Sequence, residues 1–293
     1  MINAELSWQQ AGVAAASLIG ASAVARARGR ERLAGAAVFA QETGLLLGLF
    51  GLWQLAGSFT VMGSSGALPR ARWIWHFERT IGLPSETSIQ RVFLSHPLLI
   101  QFFNLYYDTL HFPVLIATLV WLFVWHRDDY RRVRTTLVGL TAACLLVQLV
   151  PVAPPRMLPR TGLVDTALLY HESVYTNVGG FNADQLSAMP SVHVGWAILV
   201  AVAIITVARS PWRWLAVLYP VTTTLAVIVT ANHFWLDGIV AAALLVIVLA
   251  VQAWARKIVA ARRAAAALEP AAVPQELPEG LDIGGRLAER AKP

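Results

Sequence analysis

Residues 231–254 read ANHFWLDGIVAAALLVIVLAVQAW, and no charged side chain follows Asp237 until Arg256. A helix rises about 1.5 Å per residue, so a hydrocarbon core about 30 Å thick takes roughly 20 apolar residues. The run Phe234–Trp254 meets that length and reads as a transmembrane helix. Its polar end is the unusual part. His233 and Asp237 stand four apart, so on a helix they share one face about a turn apart. An ionisable pair at the mouth of an apolar span carries either chemistry or a structural cap.

Working outward, five more runs reach or approach spanning length: Leu33–Ala56, Leu110–Trp125, Thr135–Val150, Val192–Val207 and Trp212–Ala231. Ala11–Ala25 is weaker, because alanine contributes little transfer free energy. The expected fold is therefore all-α: a polytopic membrane helix bundle with six core transmembrane helices and an extra N-terminal one. Residues 1–32 form an N-terminal segment with the weak first span, 33–263 a membrane-embedded catalytic domain, and 264–293 a disordered cytoplasmic tail rich in Ala, Pro and Glu. Residues 2–10 lack a positive n-region, which speaks against a cleaved signal peptide. No internal repeat stands out, which weakens a transporter built from duplicated halves.

Composition supports the membrane reading. The chain is 57% hydrophobic and only 14% charged, whereas soluble domains are about a quarter charged. The net charge of +6 does not point to nucleic acid, because no basic stretch carries the interleaved aromatics that base stacking needs. Arginines between apolar runs set topology instead. Connections carrying Arg26–Arg32, Arg127–Arg134, Arg209–Arg213 and Arg256–Arg263 hold 14 Lys and Arg, and the opposite set holds 6. The first set is thus expected in the cytoplasm, with the C-terminus. The single Cys144 lies inside an apolar run and can form no intrachain disulfide.

Three signals fall on the extracytoplasmic side: Pro154-Pro155-Arg156, Met189-Pro190-Ser191-Val192-His193, and Asn232-His233-Phe234-Trp235-Leu236-Asp237. Asp237 can fix one ring nitrogen of His233 and leave the other as a nucleophile. His193 can protonate a leaving alkoxide. Pro190 suits the first turn of a helix whose free N–H groups attract an anion, and Arg156 offers a fork for phosphate oxygens. This is a complete set for phosphoryl transfer through a phosphohistidine. Other readings compete: a helix cap for His233 and Asp237, a metal site from His193, His233 and Asp237, and a headgroup anchor for Arg156. A serine hydrolase would need a Gly-x-Ser-x-Gly elbow, which is absent.

Asp108, His111 and Asn182 are candidates for the substrate pocket, and Tyr106 and Tyr107 for an aromatic belt. Trp73–Phe93 reads as an amphipathic run at the interface. Glu42, deep in an apolar run, is either paired within the bundle or part of a transport pathway. The competing function is a lipid transporter or flippase without covalent chemistry.

At these motifs the chain resembles the type-2 phosphatidic acid phosphatase superfamily, and most closely its branch with fungal inositol phosphorylceramide synthase and bacterial relatives. The resemblance implies a six-helix core in which His233 is the nucleophile, Asp237 its partner, His193 the acid, and Arg156 and Ser191 bind phosphate. It also implies a lipid phosphotransferase or phosphatase of a bacterial plasma membrane. Its substrate is a membrane lipid phosphate, its acceptor a lipid, a polyol or water, and no cofactor or metal is needed. Two positions depart from the superfamily pattern: Leu149 stands where it has Lys, and Val227 where it has Arg. The reduced positive charge suits a phosphodiester better than a phosphomonoester.

Overall fold

Helix follows nearly every apolar run, and proline or glycine punctuates the breaks. The structure, a computed structural model, describes residues 7–29, 31–60, 65–171 and 186–268. Its contacts group the chain into two units, Met1–Ala250 and Val251–Pro293. The first contains α1 (Trp8–Ala27), α2 (Ala34–Thr60), α3 (Ala67–Thr80), α4 (Glu86–Leu94), α5 (Pro97–Thr109), α6 (His111–Trp125), α7 (Arg127–Gln148), α8 (Thr166–Leu169), α9 (Val192–Val207) and α10 (Leu218–Val229). It also contains the first half of α11 (Trp235–Leu268), whose continuation from Val251 is the described part of the second unit. Among the described residues there is no β-strand. An isolated parallel bridge joins Val152 to Ser187.

Among the described residues, three helices are long and apolar enough to cross a membrane: Ala34–Leu52, Pro211–Val229 and Trp235–Ala265. A fourth span is made if α5 and α6, bent by 49° at their junction, are taken together. The expected six core spans are therefore not all found. Helix α9 has only 16 residues, about 24 Å at 1.5 Å per residue. Helix α7 begins with Arg127, Asp128, Asp129, Arg131, Arg132 and Arg134, so its first two turns are too polar. Helix α1 has 20 residues but is not among the candidate spans. Helix α11 runs past residue 263 to Leu268, and the tail 269–293 lies outside the described residues.

The core is packed by Leu115, Leu119 and Leu122 of α6, Leu137, Leu140 and Cys144 of α7, Leu199 and Val200 of α9, and Leu245 of α11. Glu42 is held in the bundle: both its oxygens accept from Arg134, and Tyr130 donates to Oε2 at 3.0 Å. A paired carboxylate of this kind supports the structural reading of Glu42 rather than a transport path. Arg134 lies roughly 21 Å along α7 from Gln148, whose amide donates to Ser187 O and Pro190 O. Helix α7 thus links this ion pair to the loop that enters α9.

Helices α1 and α2 pack closely through small residues. A Cβ at Gly44 would come within 2.8 Å of Ile19 Cγ1 and 3.0 Å of the Ala15 carbonyl, and one at Gly51 within 3.2 Å of the Trp8 carbonyl. Such approach of backbones is the usual basis of helix pairing in lipid. Gly44→Leu is expected to wedge the hairpin apart and destabilise the protein by about 1–3 kcal/mol. A lower thermal midpoint in detergent, with the active-site helices unaffected, is the result to look for.

Within Trp73–Phe93, Glu78, Glu86, Thr87 and Gln90 turn inward, while His76, Thr80, Ser88 and Arg91 are exposed. Helices α3 and α4 are separate, joined through Gly82 at φ 79° and Pro84. Gln90 donates to Val164 O and Val229 O and accepts from Val164 N, and Thr87 donates to Thr161 O. The buried part of the run therefore holds the segment around Thr161 and Val164.

Candidate active site

The turn between α10 and α11 aims the first catalytic candidate. Asn232 N donates to Val227 O at 3.0 Å and Ala231 N to Ile228 O at 3.0 Å. This is a Schellman ending, which normally takes glycine at its left-handed position. Here that residue is Ala231, at φ 53° and fully buried. A non-glycine residue there costs about 1–2 kcal/mol. The strained turn is fastened from outside, because Arg156 N donates to the Ala231 carbonyl at 3.0 Å. His233 N also reaches Val227 O, at 3.2 Å, so the ring is presented by a fixed backbone.

His233 is 5% exposed, and its Nδ1 lies 2.7 Å from Ala188 O and 3.2 Å from Asp237 Oδ2. A carbonyl oxygen cannot donate, so Nδ1 must carry the proton. In the neutral ring Nε2 then keeps its lone pair. The Ala188 carbonyl, the nearer acceptor, shares the orienting role expected of Asp237 alone. Asp237 Oδ2 also accepts from Phe234 N at 2.8 Å, the backward reach of a third-position carboxylate to the N-cap amide. The helix-cap reading and the orienting reading are thus both satisfied by one side chain.

The second histidine enters from α9. Ser191 is its N-cap: Oγ accepts from Val194 N at 3.3 Å, and Ser191 N donates to the Asp237 carbonyl at 3.1 Å. Pro190 therefore lies one residue outside the cap and not in the first turn. That Ser191–Asp237 bond locks the starts of α9 and α11 together. The His193 and His233 ring centroids are 5.9 Å apart. Tyr107 and His111 each lie 4.5 Å from His193, on opposite sides of the α5–α6 bend. His111 Nδ1 is 3.0 Å from Tyr219 Oη.

Arg156 is brought to the same place by loop pairing. Val152 N donates to Leu186 O and Ala188 N to Val152 O, which sets the Pro154-Pro155-Arg156 segment beside the entrance to α9. The Arg156 side chain is 6% exposed, bonds to Asn232 Oδ1, and has Nε 3.2 Å from Asp165 Oδ2. A buried, doubly engaged guanidinium is not a superficial headgroup anchor. With Asn104, Tyr107, Asp108, Asp165, Ala167 and Asn232 it lines a small pocket that opens to solvent.

The structure therefore gathers His233, Asp237, His193, Ser191 and Arg156, with Asp108 in the pocket wall and His111 against His193. Asn182 lies outside the described residues. Tyr106, expected as a belt residue, is instead buried and paired with Thr223 Oγ1 at 2.9 Å. The metal reading finds no support in the side-chain directions. His233 and Asp237 face each other, and among the described residues no trio of His, Cys, Asp or Glu is placed to hold an ion. Of the two departures, Val227 is 1% exposed among apolar neighbours and Leu149 is 53% exposed. Arg79 does not take over the missing charge: its Nη2 sits 2.9 Å from Glu86 Oε2.

Sequence reading missed Tyr107 as a ring partner of His193, and Asn232 and Asp165 as partners of Arg156. Asn232 adjoins His233 and was within reach of the motif; Asp165 carried no signal beyond being acidic.

Two histidines, a buried carboxylate and a held guanidinium thus stand together in a chain with apolar helices of membrane-spanning length. The family model described as the PAP2 superfamily matches residues 72–251, and the chain belongs to that superfamily. Phosphatase or phosphotransferase activity on lipid phosphates goes with that membership. The match runs from α3 into α11 and leaves out α1 and α2. Searches of curated proteins and of solved structures each returned no match.

Proposed function

We propose that the protein is a lipid phosphodiester transferase of the inositolphosphotransferase kind, of the inositol phosphorylceramide synthase-like branch, working through a phosphohistidine at the extracytoplasmic face of a bacterial plasma membrane. The observation that carries the reading is the fixed Nδ1–H of His233, which leaves Nε2 as a nucleophile beside His193. In the first step Nε2 forms a bond to phosphorus while the bond to the leaving oxygen breaks. His193 gives that oxygen its proton. Arg156, the Ser191 hydroxyl and the first amides of α9 stabilise the non-bridging oxygens. In the second step His193 takes the proton of an acceptor hydroxyl, the new P–O bond forms, and the P–N bond breaks.

The pocket supports the choice of substrate. Among the described lining residues Arg156 is the cation against two carboxylates, Asp108 and Asp165, with the amides of Asn104 and Asn232 beside them. That charge balance is poor for a phosphomonoester dianion. It suits a singly charged diester whose neutral, hydroxyl-rich headgroup can donate to carboxylates and amides. An acceptor polyol would use the same groups.

A lipid panel tests this. Purified protein should release or exchange the headgroup of phosphatidylinositol faster than it dephosphorylates phosphatidate. Free phosphate from phosphatidate as the dominant product would overturn the transferase reading. Arg156→Ala is expected to lower kcat/KM by roughly 10²–10³-fold, the usual loss for one well-placed oxyanion donor. Arg156→Lys should recover only part, because it keeps the charge and loses the fork.

A further inference from the structure

Beneath the catalytic helix lies a buried acidic pair that the reaction scheme does not use. Glu78 of α3 and Glu86 of α4 are both fully buried. Glu78 Oε1 accepts the Leu236 amide at 2.7 Å. Leu236 is the second residue of α11, whose N-cap is Phe234. An N-cap side chain normally accepts that second or third amide, and phenylalanine has no acceptor to offer. Glu78 supplies it from another helix. Asp237, one residue further on, then satisfies the Phe234 amide and orients His233.

The pair lacks donors. Glu78 Oε2 and both Glu86 oxygens find no hydrogen-bond donor. Arg79 Nη2 approaches Glu86 Oε2 at 2.9 Å and Glu78 Oε2 at 3.6 Å, but its hydrogen bond goes to the Pro84 carbonyl. One guanidinium faces two buried carboxyls, with Asp237 nearby as a third acidic group. A proton between Glu78 and Glu86 supplies the missing donor and removes the excess charge.

We infer that Glu78, sharing one proton with Glu86, is a positioning residue for His233: in its protonated form it caps the first turn of α11 across the helix boundary. The inference rests on the reading of His233 as the nucleophile. Burial, reinforced by the neighbouring Glu86 carboxyl, pushes Glu78 up to about 9 from the ordinary 4.5. Between those values the folded protein holds a proton that the unfolded chain releases. Stability is therefore greatest at low pH and falls as pH rises toward 9, up to tenfold in the unfolding constant per pH unit.

Glutamine reproduces the protonated acid, with one acceptor for Leu236 N and one N–H for Glu86. The experiment compares wild type, Glu78→Gln and Glu78→Leu as full-length protein in detergent. Unfolding is followed from pH 6 to 9, the His233 tautomer by ¹⁵N-histidine NMR, and turnover on fluorescent phosphatidylinositol and phosphatidate. Glu78→Gln should flatten the pH slope by about one proton and keep the Nδ1–H form. Glu78→Leu should mix the tautomers and slow turnover at least tenfold, with Glu78→Gln restoring most of it. Parallel slopes for wild type and Glu78→Gln, or a Glu78→Leu protein with an unchanged tautomer, overturn the inference. If Glu78→Leu does not fold, the Glu78→Gln slope alone decides. If wild type turns over neither lipid, the functional reading fails while slope and tautomer still decide the role of Glu78.

Discussion

His233→Ala should reduce kcat/KM on the lipid substrate by roughly 10⁴–10⁶-fold, the loss that follows removal of a covalent nucleophile. The expectation follows from the proton assignment: Ala188 O fixes the hydrogen on Nδ1 and so makes Nε2 the free nitrogen. Among the described residues, no other histidine has its Nδ1 held by a carbonyl and a carboxylate in this way. The His193 ring centre is 5.9 Å away, and its assigned task is proton transfer. Alanine also leaves the Ala188 carbonyl and Asp237 Oδ2 without their ring donor, which destabilises by about 1–3 kcal/mol per buried group. His233→Gln is the companion variant, since its amide can donate to those acceptors while offering no nucleophilic nitrogen. Both variants should be inactive, and the glutamine form should unfold closer to the wild-type temperature. Residual turnover within tenfold of wild type in either variant would remove His233 from the nucleophile's role.

His193→Ala carries the second-largest effect, and its size should depend on the leaving group. A lipid alkoxide departs poorly without a proton, and a positioned general acid contributes roughly 10²–10⁴-fold. A nitrophenolate leaving group needs little assistance. On a nitrophenyl phosphodiester, the first step should therefore survive His193→Ala nearly intact, visible as a burst of nitrophenolate. Release of the phosphohistidine would then slow, because His193 also deprotonates the acceptor. An equal loss on both substrates, with no burst, would show that His193 holds structure rather than moves a proton. Tyr107 and His111, each with its ring centre 4.5 Å from that of His193, make this control necessary, since alanine removes the ring they both pack against.

The juxtaposition of the candidate-site helices was legible in the sequence because the relevant spacings are local. His233 and Asp237 share a helical face by being four apart, and Ser191 with His193 stands at the start of an apolar run. Charge asymmetry then put these motifs on one predicted side. What completes the site is not local. The acceptor that fixes His233 is the carbonyl of Ala188, a backbone atom that no side-chain pattern advertises. The cap on Leu236 comes from Glu78, in a helix whose polar stripe resembled a water-facing surface. Tyr107 and His111, at the α5–α6 junction, meet His193 from a different part of the chain. The span count was legible only in part. Helix α9 is shorter than a bilayer core and α7 opens on charged turns, so neither is a full span by length and apolarity.

The weak cationic inventory also reads differently with the structure in view. Val227, where the superfamily pattern has an arginine, is packed among Val194 and Ile228 and offers its carbonyl to the Asn232 and His233 amides. A guanidinium there would have to be buried among apolar side chains. Arg156, with the carboxylates and amides that line the pocket beside it, is the arrangement on which the diester proposal rests.

The stereochemistry of transfer at phosphorus tests the covalent proposal most directly. A chiral thiophosphate diester carrying the headgroup is turned over by wild-type protein, and the configuration of the product is determined. Two in-line displacements, onto His233 and off it, give net retention. Net inversion would mean a single displacement by the acceptor, with no phosphohistidine on the path.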